Sequence, residues 1–416
     1  MMASQIKDSR KELFSFYAIA SLFSGGRLFV GAISVLYVLA HGISIADFAI
    51  IKSLQVVIFL FFDIPIGIFI KRYGYKNSLL AAFALSILGL LIYIVGSTLT
   101  HFLIAELLVA LSLCLFPTAF THYTMDFLEE RPGLLMEKIF HRSDMYASLT
   151  TLLCGALGGY LFNIQKTLPY LAGIILQIIG YFLTKQTLPS LPLEMNSESQ
   201  GTLNSFSKAW SSIAAFDSKL IIPIIILFII QLTIQPLYHY WQPLFYELNE
   251  NISGTVLGWV FASYSICSIL LNFLFSKISS HSFFRSVNCI FFLLIVASIF
   301  YFSSAISDNI SITFISFTLL QGILFSSLTC ISAIINRLVD GSNRPITLKI
   351  ISVLSRFGML AFFGVIKIFS IEKIHNLYFF SALILFIAII FIKSMDLFVF
   401  NKKLSSEVKF GNAIRS

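Results

Sequence analysis

Four charged side chains lie inside long apolar runs, and any chemistry this chain performs starts with them. Arg27 falls near the middle of the run 13–40 and Arg356 near the middle of 346–370, while Glu106 lies within 101–127 and Asp63 within 46–70. A charge held in a lipid interior is expensive unless it faces protein or water, so each of these needs a partner or a wet surface. A guanidinium is a planar fork that matches the oxygens of a carboxylate or phosphate. Two of them, one in each half of the chain, suit an anion. The competing reading is that each arginine braces helices by satisfying backbone carbonyls or an acid. Glu106 is the best placed carboxylate to carry a proton, with Asp63 as a second; a helix-end salt bridge is the alternative for Asp63.

Uncharged polar residues recur at helical spacing around these positions. Tyr17, Ser21, Ser24, Arg27, Gly31 and Ser34 form one stripe, and Gln231, Gln235, Tyr238 and Gln242 form another, with His239 and Trp241 alongside. Gln321 sits within the run 310–336. Amides and phenols facing lipid are costly, so these stripes line a cavity or bond neighbouring helices. Ser24, Gln231, Gln235, Tyr238, His239 and Gln321 join Arg27 and Arg356 as candidate solute-binding residues. Lys52 and Lys367 lie toward the ends of their runs, where lysine snorkels to headgroups. His122 and Asp126 stand toward the other end of the Glu106 run, with Pro117 as a candidate kink between.

Several chemistries are missing from the sequence. It has no phosphate-binding Gly-x-x-x-x-Gly-Lys-Ser/Thr loop, no His-Glu-x-x-His and no Gly-x-Ser-x-Gly elbow. Cys114, Cys154, Cys267, Cys289 and Cys330 are scattered without metal-ligand spacing. Neither catalytic residues, a metal site nor a cofactor is expected, and energy must come from an ion or solute gradient.

The elements that position these residues follow from composition. With 57% hydrophobic and 12% charged residues among 416, and a mean hydropathy of +0.90, the chain carries more apolar surface than a soluble fold can bury. An all-α polytopic membrane protein is expected, and its 44 phenylalanines belong to lipid-facing and packing surfaces. Twelve spans are read at 13–40, 46–70, 78–98, 101–127, 142–163, 168–187, 220–245, 253–277, 284–304, 310–336, 346–370 and 376–398. Each is close to or above the ~20 residues that cross a bilayer. The apolar run after Glu12 is too long for a cleaved signal peptide and is read as the first span. The division is 1–187 as a first six-helix bundle, 188–219 as a polar, serine-rich linker, 220–400 as a second bundle and 401–416 as a tail. The net charge of +8 is concentrated in alternate loops, which predicts that both termini and the linker are cytoplasmic and excludes a nucleic-acid partner as its cause.

The turn Gly67-Ile-Phe-Ile-Lys71-Arg72-Tyr-Gly74-Tyr-Lys76 resembles the loop after the second helix of the major facilitator superfamily, whose pattern is Gly-x-Leu-Ala-Asp-Arg-x-Gly-Arg-Lys. Lys71 stands where the family has an acid that helps latch the two halves together, and Asp63, in an Asp-x-Pro-x-Gly run, is the nearest substitute. Gly67 is expected to admit a close helix and Gly74 a chain reversal. Met125-Asp126-Phe127 is similar to a Tyr-Asp-Ser motif of one branch, with Arg142 or Arg131 as candidate partners for Asp126. Arg344-Pro345-Ile346-Thr347 and Trp241-Gln242-Pro243 extend the likeness through the second half.

The resemblance implies two pseudo-symmetric six-helix bundles rocking about a central path lined by the first, fourth, seventh and tenth spans. It implies secondary active transport in a bacterial inner membrane, by a protein that is not an enzyme, with a small-molecule solute, a proton gradient and the lipid bilayer as partners and with a monomer expected. Basic residues outnumber acids at depth, which favours an anionic or zwitterionic solute such as a polycarboxylate or hydroxycarboxylate siderophore, moved in either direction as symport or antiport. Proton-driven efflux of amphipathic drugs is the alternative within the class. A membrane receptor or enzyme that has kept the fold is the alternative outside it.

Overall fold

The computed structural model describes residues 2–129, 136–188, 218–279, 283–339 and 344–413. Among them the chain is helical, in fourteen helices. They are α1 (Met2–Leu28), α2 (Ser34–Leu39), α3 (Ile45–Val95), α4 (Leu99–Glu129), α5 (Met136–Ile164), α6 (Leu168–Thr187) and α7 (Ser218–Thr233). Then follow α8 (Gln235–His239), α9 (Trp241–Leu248), α10 (Gly254–Ser279), α11 (Phe283–Ile306), α12 (Ile310–Leu338), α13 (Arg344–Ile368) and α14 (Ile374–Ala413).

Each of the twelve expected runs is helical, yet only ten stretches among the described residues are both long and apolar enough to cross a membrane. The first run is split by a non-helical segment between Leu28 and Ser34, and the ninth is represented by the shorter stretch Ile290–Ile306. The seventh run is divided into α7, α8 and α9, so its polar stripe is not one continuous helical face. The last helix continues to Ala413, through most of the stretch read as a tail. Residues 189–217, most of the expected linker, lie outside the described residues.

Local sequence explains where the helices start and turn. Ser44 caps α3 by accepting from the Asp47 amide at 3.0 Å, with the Asp47 carboxylate in the first turn, where the helix dipole favours an anion. Asn309 caps α12 in the same way, accepting from Ser311 and Ile312. Pro169 occupies the first turn of α6, where its missing N–H costs nothing. Gly74 has φ 80°, a left-handed value that glycine tolerates, and this single break divides α3 into the second and third expected spans. Pro117, by contrast, leaves α4 a single helix from Leu99 to Glu129.

The helices form two compact units. The first comprises Met1–Trp210, His239–Ile266 and Met359–Ile374. Within it α3 packs on α4 and α6, and α1 packs on α5 and α6. Its centre is aromatic: Phe23 stacks on Phe116 at 3.7 Å between ring centroids, and Phe83 meets both rings edge-on. One close backbone approach is between α5 and α10. A Cβ built on Gly159 would collide with the Gly254 carbonyl, and one on Gly254 would lie 2.5 Å from the Gly159 carbonyl. Asn163 fastens the same seam, accepting from the Gly254 amide at 2.6 Å and donating to Thr255 Oγ1 at 2.7 Å. Gly67, expected to admit a close neighbour, has nothing within 4 Å of where its Cβ would be.

The second unit comprises Ser211–Tyr238, Cys267–Gly358 and His375–Ser416. Here α11 packs on α12 and α12 on α7. Tyr301 donates to the Thr233 carbonyl at the end of α7, and Tyr378 donates to the Pro236 carbonyl at 3.4 Å. Both carbonyls lie where the seventh span breaks, so the two phenols take over bonds that a continuous helix would have made.

Candidate functional site

In the first unit Glu106 is the hub of a polar cluster. It is 2% exposed, and its two oxygens have separate partners. Oε1 accepts from Lys52 Nζ at 2.9 Å, and Oε2 accepts from the Tyr93 hydroxyl at 2.5 Å. Lys52 also lies over the Phe48 ring at 5.5 Å. Tyr37, Tyr93 and Tyr170 form a phenol wall beside the acid, with Tyr37 and Tyr170 ring centroids 4.6 Å apart and Tyr37 donating to the Tyr93 carbonyl. Arg27 lies within electrostatic range of Glu106 and makes no hydrogen bond or ion pair to a described residue. His239 is within range of Lys52 and packs on Phe363 at 5.5 Å.

This placement corrects the expectation for Lys52. The lysine turns inward to the buried acid, because an unpaired carboxylate at that depth would cost more than straightening the lysine toward headgroups gains. Glu106 and Arg27, from different expected spans, come together as candidates. Lys52, Tyr37, Tyr93 and Tyr170 are additions that sequence reasoning missed. The available signal was a lysine seven residues into an apolar helix with only one acid, Asp47, near it in sequence. The cluster carries two cations, Arg27 and Lys52, against one acid.

The second unit holds Gln231, Gln235, Tyr238, Gln321 and Arg356. Gln235 is buried, and its Nε2 donates to the Gln231 backbone carbonyl at 2.8 Å. The side-chain oxygens of Gln231 and Gln321 are buried with no hydrogen-bond partner among the described residues. Buried polar atoms are nearly always satisfied by protein, water or ligand, so these two oxygens are ready acceptors. Arg356 and Tyr238 are partly buried and have partners of their own. In the first unit Ser24 is partly buried, one helical turn before Arg27 on α1.

Gln242 behaves as a helix fastener, against the expectation that it lines a cavity. It is 1% exposed; its Nε2 donates to the Gly31 carbonyl at 2.7 Å and its Oε1 accepts from the Val35 amide at 2.9 Å. In an unbroken helix Gly31 and Val35 would bond to each other, so the Gln242 amide fills the gap in the first span like an inserted peptide unit.

The basic turn is only partly described. Lys76 Nζ donates to the Leu188 carbonyl at 2.5 Å, placing a cation on the C-terminal end of α6. Arg72 is exposed and stacks over Tyr73 at 5.4 Å. Ser78 closes the turn by donating to the Gly74 carbonyl at 2.8 Å. The side chains of Asp63, Lys71 and Asp126 lie outside the described residues. Among the described residues no group of three or more His, Cys, Asp or Glu is placed to hold a metal ion.

No family model matches the chain. It is 24% identical over 264 residues to YxaM, an uncharacterized MFS-type transporter of Bacillus subtilis (strain 168). The match spans 62% of this chain and 63% of that protein, under two thirds of its length. Among solved structures, the nucleoside transporter NupG is similar with a TM-score of 0.76 at 12% identity, covering 92% of this chain and 98% of that one. A point mutant of NupG gives 0.75 at 11%, covering 92% and 99%. At such identity the structural likeness speaks for the fold alone. The fold is thus that of a major facilitator transporter, and the sequence relative of the MFS type agrees with it.

Proposed function

We propose that the chain is a proton-coupled secondary transporter that carries a small anionic or zwitterionic solute, of polycarboxylate type, across the bacterial inner membrane by alternating access. The observation that supports this most is the charge count of the embedded cluster. Arg27 and Lys52 face one acid, Glu106, so a solute carrying an anionic group supplies the missing charge. In the second unit, taken by itself, the side-chain oxygens of Gln231 and Gln321, without a partner among the described residues, suit a hydrogen-bond donor. Proton coupling is assigned to Glu106, the buried acid of the cluster. The loop charges support a cytoplasmic side for both termini, and the protein works as a monomer. The nucleoside transporters share the fold at 11–12% identity and set no expectation for this solute.

The test is uptake of radiolabelled citrate, as a probe polycarboxylate, into liposomes under an imposed proton gradient, with Arg27→Ala as the control. Uptake that needs the gradient and is lost in the variant is expected. Citrate that neither enters the liposomes nor shifts the melting of the wild-type protein overturns the anionic reading. An amphipathic dye moved equally by both proteins would point to drug efflux.

A further inference from the structure

The Lys52–Glu106 pair is lopsided. Glu106 is closed in at 2% exposure, whereas Lys52 keeps 14% of its side chain accessible. Arg27 is partly exposed and has no hydrogen-bond acceptor among the described residues. Lys52 therefore keeps an open side and the acid has none. The one group already on Lys52 is the Glu106 carboxylate, which an arriving anion has to displace.

From this we infer that Glu106 is a built-in counter-ion that competes with the solute for Lys52, which makes Lys52 a solute-binding residue. The inference rests on the anionic-solute reading and deepens it. The ligand group is a carboxylate or phosphate that replaces one carboxylate on Lys52 while reaching toward Arg27. The groups around Glu106 allow this exchange. Lys52 and Tyr93 face it from α3, Arg27 acts on it from α1 and Tyr170 from α6, while His239 on α8 acts on Lys52. When Lys52 leaves, Glu106 keeps the Tyr93 hydroxyl, so the acid is not left bare. A protein whose cation is masked by its own acid binds the outside anion more weakly than its contacts allow, and removing the acid restores the difference.

The experiment is citrate titration by calorimetry, in detergent at constant pH, of the wild type, Glu106→Gln, Lys52→Gln, the double variant Lys52→Gln/Glu106→Gln and Arg27→Ala. Glu106→Gln should bind citrate tighter by on the order of tenfold, the size of one charge-assisted hydrogen bond. Lys52→Gln should bind it weaker by a similar factor, and the double variant should show no gain from losing the acid. A purely structural role for the pair predicts weaker binding in every variant. Unchanged or weakened binding in Glu106→Gln overturns the inference; if Arg27→Ala still weakens binding in that series, the anionic reading survives. Absence of citrate binding in every protein overturns both. Should Glu106→Gln not fold, Glu106→Asp, which draws the charge one methylene back from Lys52, gives the same comparison with a smaller gain, and an unchanged Kd there overturns the inference equally.

Discussion

Replacing Gln242 with leucine removes the amide that sits in the gap of the first span while keeping the side chain's approximate volume. The change leaves the Gly31 carbonyl and the Val35 amide without their partners at 2.7 and 2.9 Å. Each buried backbone group left bare costs about 1–3 kcal/mol, so the full loss is about 2–6 kcal/mol if the gap stays open. The gap could close instead, since Gly31 and Val35 stand in the i, i+4 relation of a helical bond. One bond would then replace two, and the loss would fall to about 1 kcal/mol. Closure requires the segment from Phe29 to Ile33 to rewind, and Phe29 is held where it is. Its carbonyl lies against Gly158 of α5 so tightly that a Cβ on that glycine would collide with it. The larger value is therefore expected. Unfolding of the purified protein by SDS titration in detergent measures it, with Trp241, 1% exposed and next to Gln242, as the fluorescent reporter. A variant within about 0.5 kcal/mol of wild type, less than the net value of one ordinary hydrogen bond, would refute the reasoning.

Three further outcomes are expected. Gly159→Ala places a methyl against the Gly254 carbonyl, and neither backbone can yield without parting α5 from α10, so a loss of about 1–3 kcal/mol should appear in the same unfolding assay. Asp47→Asn breaks the pair with Lys367 Nζ at 3.0 Å, but the two side chains are 34% and 49% exposed; the loss should stay below about 1 kcal/mol and disappear in ~1 M salt. Lys76→Met removes the cation from the Leu188 carbonyl at the end of α6 and should cost about 1 kcal/mol, with exchange of the last α6 amides quickened in hydrogen-exchange mass spectrometry.

What could be foreseen from the sequence was whatever a short window encodes. The apolar runs gave the helices, and the basic turn with Gly74 gave the break between the second and third spans, because charge and a left-handed φ are local properties. Glu106 was recognisable as an embedded acid because nothing polar in its own run covers it. Its partner was not recognisable, since Lys52 lies in another helix and helical spacing reports a face without naming its neighbour. The break at Phe29–Ile33 was equally hidden. Its residues are apolar, and the group that holds it open, Gln242, is brought in from far along the chain. Gly67 shows the reverse error, in which a motif glycine expected to admit a close helix faces open space.

The same constraint separates the glutamines that hold the fold from those proposed to bind a solute. A polar side chain in an apolar surround must be satisfied, and one that is satisfied by the protein has nothing to offer a ligand. Gln242 has both ends of its amide committed to the backbone of the first span. Gln235 has committed its donor to the Gln231 backbone. Gln231 and Gln321 keep a buried oxygen without a partner among the described residues, and for them the missing bond must come from water or a solute. Helical periodicity placed Gln231, Gln235 and Gln242 on one stripe and gave them one role; the hydrogen bonds divide them. Substitution at Gln231 or Gln321 should therefore change which solute is carried while stability holds. At Gln242 the order is reversed, with stability falling whatever the solute.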